Sequence, residues 1–336
     1  MKALTLTAYK QPLQWVETPK PIPAPGQVLV QVQAVSLNPL DGMIQRGEIK
    51  ALYSYKLPQI VGNDLAGVIT EIGEGVTVFS VGDEVFARPS MKNLGAFAEY
   101  AVVDAADLAI KPAGLSMAEA ASLPLVTLTA LQAFTEKTQV GQGTKVFIQG
   151  GAGGLGSAAV QIAKMLGATV ATTVGTKDTE LAKELGADIV VDYRTQRYED
   201  FVSDFDVVLD TLGGAEIECS MKVLRRGGTI VSVIGKPDAD LAVELGKPLL
   251  KPVMHLLSRK ERAAAKRHGV TYKFLFMRAD GAQLARIASA VDAGTIKPLV
   301  GHTFPFENLR EELEQLGKKK VGPGKTVAVL EDVARN

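Results

Sequence analysis

The chain has 336 residues, of which 46% are hydrophobic and 22% charged, with Lys+Arg and Asp+Glu equal at 37 each. That length exceeds one ordinary core and implies two domains, while the balanced charge offers no field to recruit nucleic acid or an anionic membrane, which leaves small-molecule chemistry. A single cysteine, Cys219, gives no internal disulfide and suits a reducing compartment.

Taken in order, Met1 to Tyr9 alternates like a strand and carries no apolar signal core or small-residue cleavage site. No run of about 18 uninterrupted apolar residues occurs, so a cytoplasmic protein without a membrane partner is expected. To about Ala120 the chain reads as short β-type runs (Val28 to Val35, Ala66 to Ile72, Asp83 to Ala87, Phe97 to Val103) broken by Gly and Pro, which predicts a mostly β domain. Pro19, Pro21, Pro23 and Pro25 mark an extended loop before the Val28 run. From Ser116 helical patterns alternate with apolar strands: Lys145 to Gln149, Thr169 to Val174, Ile189 to Val191, Val207 to Asp210, Thr229 to Val233 and Tyr272 to Met277. This α/β alternation predicts a doubly wound parallel sheet of six strands. After a helix over Gly281 to Ala293, β texture returns (Val300 to Phe306, Thr326 to Leu330), so the last strands are expected to complete the first domain.

Between the Lys145 strand and a helix over Ser157 to Leu166 lies Gly150-Gly151-Ala152-Gly153-Gly154-Leu155-Gly156. Gly151, Gly153 and Gly156 fit G-x-G-x-x-G, in which the first glycine permits the tight turn, the second lets backbone approach a pyrophosphate, and the third lets helix pack on strand. The helix N-terminus adds free N–H groups and a positive dipole end. Farther on, Lys251 to His268 is strongly basic but has no interleaved aromatics, so a solvated helix is expected rather than a nucleic-acid surface. Lys318-Lys319-Lys320 reads likewise as solvated surface. His255, His268 and His302 are not at i, i+4 spacing, and no C-x-x-C exists, so no closed nitrogen and sulfur zinc site is expected.

Asn38-Pro39-Leu40-Asp41, Gly62-Asn63-Asp64-Leu65-Ala66-Gly67-Val68, Gly82-Asp83-Glu84-Val85, Ala120-Ala121-Ser122-Leu123-Pro124, the glycine turn and Gly324-Lys325 occur in one order. With these motifs the sequence resembles the medium-chain dehydrogenase/reductase superfamily, and within it the zinc-free quinone and enone (alkenal) reductases. The resemblance implies a GroES-like catalytic domain (1–120 and 296–336) and a Rossmann NADP-binding domain (121–295). In the superfamily's zinc alcohol dehydrogenases a Cys and a His hold the catalytic metal near the positions of Asn38 and Asn63. Their absence here implies an acceptor easier than an unactivated alcohol: a quinone or an α,β-unsaturated carbonyl, whose charge moves onto oxygen and needs only hydrogen-bond donors.

The resemblance further puts Asn38 beside nicotinamide and substrate with Asp41 nearby, Tyr53, Tyr55 and Asn63 in the substrate pocket, and Thr127 beside the nicotinamide. Gly151, Ala152, Gly153, Gly154, Leu155, Gly156, Gly175, Thr176, Lys177, Tyr193, Leu212, Val233, Ile234, Phe276 and Lys325 complete the implied cofactor site. Asn38 before Pro39 also suits an Asx-turn, Asp64 also suits a structural turn, and the two tyrosines also suit an exposed loop. An NAD enzyme of this type has an acid about 20 residues past the glycines. Here the strand ends Thr173-Val174-Gly175-Thr176-Lys177, a cation without a carboxylate, which favours NADPH; the competing reading makes Lys177 a solvated helix-start residue and Asp178 the ribose ligand. In relatives the sixth strand pairs with its copy, which implies a homodimer. A catalytically weak NADPH-binding protein, crystallin-like or a sensor, and a reductase of another activated carbonyl or acyl substrate remain open beside the quinone or enone reductase.

Overall fold

The computed structural model describes residues 1–318 and 322–330. Lys318 is exposed, and Lys319 and Lys320 lie outside the described residues. The chain divides into two compact units, Met1–Leu128 with Arg278–Asn336, and Thr129–Met277.

The second unit is built on six parallel strands in the order Ile189–Asp192, Thr169–Val174, Lys145–Ile148, Phe205–Asp210, Leu224–Ser232, Thr271–Phe274. Val146, Phe147 and Ile148 are all fully buried, as a strand covered on both faces requires. The chain winds outward from the Lys145 strand in one direction and then from the Phe205 strand in the other. Their junction is the switch point at which doubly wound sheets hold ligands beyond the strands' carboxyl ends. The last strand stops at Phe274, short of the predicted Met277, and forms one edge of the sheet among the described residues.

In the first unit the ten-residue strand Gln27–Ser36 is the axis. It pairs antiparallel with Asp64–Ile72 on one side and with Tyr100–Asp104 and Lys325–Val329 on the other. Glu84–Ala87 and Leu108–Ile110 extend the sheet beyond Asp64–Ile72, and Val300–Pro305 lies parallel on Lys325–Val329. Ser36 stands opposite both Asp64 and Val327, so three distant stretches of sequence end at one place.

The division falls at 128/129 and 277/278 rather than at 120/121 and 295/296. Helix Gly281–Asp292, expected with the dinucleotide domain, packs on strand Leu108–Ile110 of the first unit. Its helical period shows that it buries a face and not which sheet covers it. The helical run Met117–Lys137 has the length and apolarity to cross a membrane, with mean hydropathy 1.2, yet 78% of it is buried inside the protein, as in a core helix.

Candidate functional site

In the second unit the glycine turn separates what the fold needs from what a ligand needs. A Cβ on Gly151 would fall 2.3 Å from Thr172 Oγ1, and one on Gly156 would fall 2.0 Å from the Gly150 carbonyl, so internal packing requires both glycines. Gly153 is exposed, has ordinary backbone angles (φ −78, ψ 171), and a Cβ there would meet nothing closer than 3.3 Å. The crowding at Gly153, against the Gly150 carbonyl, is milder than at the other two glycines, and its exposed bare backbone leaves room for a pyrophosphate. Gly153 caps helix Gly154–Met165, whose first N–H groups have no intrahelical partner. Ala152 is buried beside these glycines, and Gly154 and Leu155 are half-buried.

Gly175 is buried at the end of the second strand, and Thr176, Lys177 and Tyr193 beyond it are exposed. A carboxylate stands here after all, from the neighbouring strand: Asp192 pairs with Val174, accepts a 2.6 Å hydrogen bond from Thr176 Oγ1, and is held below the ordinary carboxylate range by it. Arg194 lies over the Tyr193 ring at 5.9 Å. At the switch point Leu212 and Ile234 are exposed apolar side chains, and Val233 and Phe276 are half-buried. Asp210, which sequence reasoning passed over, is buried there; it accepts from Gly213 N at 2.9 Å and from Ser232 Oγ, fixing both loops.

The first unit carries a buried polar cluster where its three distant stretches meet. Asn38 precedes helix Pro39–Arg46, and its N–H donates to Asp41 Oδ2 at 2.8 Å, which ties the helix start. Asn38 Nδ2 donates to Asp64 Oδ2 at 2.8 Å, and its Oδ1 accepts from Lys325 Nζ. Lys325 also donates to the Leu37 carbonyl at 2.9 Å and lies 3.4 Å from Asp64 Oδ2. Asp64 further accepts from Ser36 Oγ and from Leu125 N, each at 2.8 Å. Asn63 Nδ2 donates to Asp41 Oδ1 at 2.6 Å, while Asn63 Oδ1 is buried without a partner among the described residues.

The predicted site residues Asn38, Asp41 and Asn63 therefore come together. Lys325, expected at the cofactor, is committed inside this cluster, and Thr127 Oγ1 donates to Leu123 O of its own helix at 2.8 Å. Tyr53 and Tyr55 are half-buried rather than loop aromatics in solvent. Asp64 is the hub rather than a turn residue, and Arg88, 1% exposed, was not foreseen at all. Its only signal was an arginine directly after the apolar run Val85-Phe86-Ala87, before Pro89.

Desolvation raises Asp41 from 3.8 to about 7, with Asp64 adding repulsion, while its bonds to Asn63 and Asn38 and the charge of Lys325 resist. Burial lowers Lys325 against the pull of Asp64 and Asp41. The folded state holds the Asp41 proton between about pH 4 and 7 and the unfolded state does not, so this contribution is full in acid and is lost as pH rises through 7. Asp107, raised by burial to about 6, overlaps this window. Asp41→Asn is therefore expected to flatten the decline of stability between pH 4 and 7 in denaturant melts; a variant curve parallel to wild type would assign the slope to Asp107.

Among the described residues no group of three or more His, Cys, Asp and Glu is placed to hold a metal ion. Amides at 38 and 63, each hydrogen-bonded to a buried carboxylate, do not fit zinc, which takes thiolate, imidazole or carboxylate ligands.

Residues 24–113 match the alcohol dehydrogenase GroES-like domain, and residues 185–327 match the zinc-binding dehydrogenase family. A mitochondrial NAD(P)H oxidoreductase, RTN4IP1 of Mus musculus, is 33% identical over 337 residues, covering 90% of this chain and 81% of that protein. The chain belongs to the medium-chain dehydrogenase/reductase superfamily. Another member, a chloroplastic NADPH-dependent alkenal/one oxidoreductase of Arabidopsis thaliana, is 39% identical over 62% of this chain, but the match spans only 55% of its own length. Among solved members of the superfamily, a quinone oxidoreductase from Coxiella burnetii aligns with TM-score 0.83 and 28% identity over 98% of this chain and 99% of its own.

Proposed function

We propose that this chain is an NADPH-dependent, zinc-independent reductase that delivers hydride to a quinone or to the β-carbon of an α,β-unsaturated carbonyl. The observation that carries the reading is the pair of carboxylate-held amides, Asn38 and Asn63, at the two positions where zinc members keep metal ligands. Relatives named alkenal/one and quinone oxidoreductases support the substrate class. Bound nicotinamide supplies the hydride. The chain's part is to seat the pyrophosphate at Gly153 and the helix start, to hold the 2′-phosphate with Lys177 and Tyr193, and to keep Asn38 and Asn63 in fixed orientation through Asp64, Lys325 and Asp41. The edge strand Thr271–Phe274 is the surface through which a second copy would extend the sheet into a homodimer.

The test is steady-state NADPH oxidation against quinones, short enals and long-chain enones, with and without a chelator. Turnover of at least one class that survives chelation is expected. Loss of activity to the chelator with stoichiometric zinc removes the metal-independent reading, and NADPH binding without turnover on any acceptor makes the protein a cofactor-binding relative.

Cofactor choice gives a separate prediction. The 2′-phosphate carries close to two negative charges, and a charge-assisted contact at Lys177 favours NADPH by roughly tenfold to a hundredfold. Lys177→Glu is expected to abolish or invert that preference, and Asp192→Asn, which removes an opposing charge, to increase it. Dissociation constants for both cofactors at low and high salt check this, since screening over about 10 Å should shrink the wild-type preference. Equal wild-type affinities would move the weight to Asp178 or Asp192 as ribose ligand.

A further inference from the structure

Arg88 is 1% exposed, yet its Nε and Nη2 have no hydrogen-bond partner among the described residues, and only Nη1 is used, donating to the Pro89 carbonyl at 2.9 Å. The strand pairing Leu65↔Ala87, carried one step further, sets Arg88 opposite Asp64. Asp64, however, is already occupied by Lys325, Asn38, Ser36 and the Leu125 N–H, and Arg88 makes no ion pair among the described residues. Tyr55 Oη is also buried and unpartnered, and it lies within electrostatic reach of the guanidinium. A charged fork left unmatched in a protein interior is costly and asks for a reason. An oxygen bearing negative charge would complete it, since such an atom can accept from two guanidinium N–H groups and a phenol.

We propose that Arg88, with Tyr55, binds the substrate oxygen on which negative charge gathers during reduction; this rests on the reductase reading above. Hydride from the reduced nicotinamide adds to the β-carbon, the alkene pair shifts to the α-carbon side, and the carbonyl pair moves onto oxygen as an enolate. Solvent then returns a proton to the α-carbon, leaving oxidised nicotinamide and the saturated carbonyl. Donors fixed before the charge develops stabilise that enolate more than the neutral carbonyl. The same preference holds for any phenolate of similar shape, so it is measurable without turnover.

The experiment titrates the full chain with 4-nitrophenol around its ionisation range and reads the phenolate absorbance. Wild type is expected to bind the ionised form and enrich it. Arg88→Met should weaken phenolate binding by about tenfold or more, Arg88→Lys, which keeps the charge and loses the fork, by less, and Tyr55→Phe by several-fold. In parallel, enone turnover should fall in kcat more than it changes in KM. Wild type that binds no phenolate, or folded Arg88 variants with unaltered phenolate affinity, overturn the proposal. Should Arg88→Met fail to fold, Arg88→Lys and Tyr55→Phe decide it in the same way. Phenolate binding that depends on Arg88 in a wild type that reduces no enone or quinone would keep the subsite and remove the reductase.

Discussion

Lys325→Met is expected to destabilise the protein by about 3 to 5 kcal/mol, the loss seen when one partner of a buried charge pair is removed. Lys325 is 6% exposed and Asp64 is fully buried, so neither can recover water in the folded state. Methionine leaves the Asp64 carboxylate beside Asn38 and Ser36 without its hydrogen-bonded cation, with Arg88 across the strand pair as the remaining positive charge, and leaves Asn38 Oδ1 and the Leu37 carbonyl without their donor. A second variant separates charge from packing: adding Asp64→Asn to Lys325→Met should cost less than the two single losses summed, because the uncompensated charge is gone. Denaturant unfolding checks both. A Lys325→Met protein within about 1 kcal/mol of wild type would show that Arg88, across from Asp64, neutralises the carboxylate by itself.

The two sheets differ in how readily sequence discloses them. Strands such as Val146 to Ile148 are continuous apolar runs spaced by helical periods, and a parallel sheet follows from that local alternation. The cluster is not local. Lys325 reaches the Leu37 carbonyl across 288 residues, and it does so because strand Lys325–Val329 pairs with the end of Gln27–Ser36, a register that no periodicity encodes. Asn38, Asp41 and Asn63 were legible through the family's motifs, whereas their partners depended on that register: Lys325 was expected at the cofactor and Asp64 left between turn and site. Arg88 was invisible for the opposite reason, since an arginine after a short β run reads as a strand end in solvent. Asp192 shows a third limit: Asp192-Tyr193-Arg194 after the third strand resembles the family's phosphate-contacting motif and was legible as such, but that its carboxylate stands beside Thr176 at the end of the second strand depends on the parallel pairing.

Asn38→Ala is expected to lower kcat/KM by about tenfold to a thousandfold, or roughly 1.4 to 4 kcal/mol of barrier. The geometry narrows how. Both N–H groups of the amide are spoken for, one by Asp64 Oδ2 at 2.8 Å and the other by the Ser36 carbonyl at 3.3 Å, so Asn38 has no donor left for a substrate. Its Oδ1 takes Lys325 and keeps one lone pair, so under the proposed function any contact with the cofactor is as an acceptor, suited to an amide N–H of the nicotinamide and not to a carbonyl oxygen. The loss should therefore fall on productive binding of the cofactor's reacting end, with a weaker effect on overall NADPH affinity, which the pyrophosphate and 2′-phosphate contacts supply. Removing the amide also costs stability, about 1 to 3 kcal/mol for the groups it leaves unpaired. Ser36→Ala is the control, because it too deletes a hydrogen bond to Asp64 Oδ2 while leaving the Asn38 acceptor in place. If Ser36→Ala and Asn38→Ala lose stability alike but only the second loses hydride transfer, the acceptor role stands. Asn38→Ala with wild-type kinetics on a confirmed substrate would reduce Asn38 to the tie between helix Pro39–Arg46, Asp64 and Lys325.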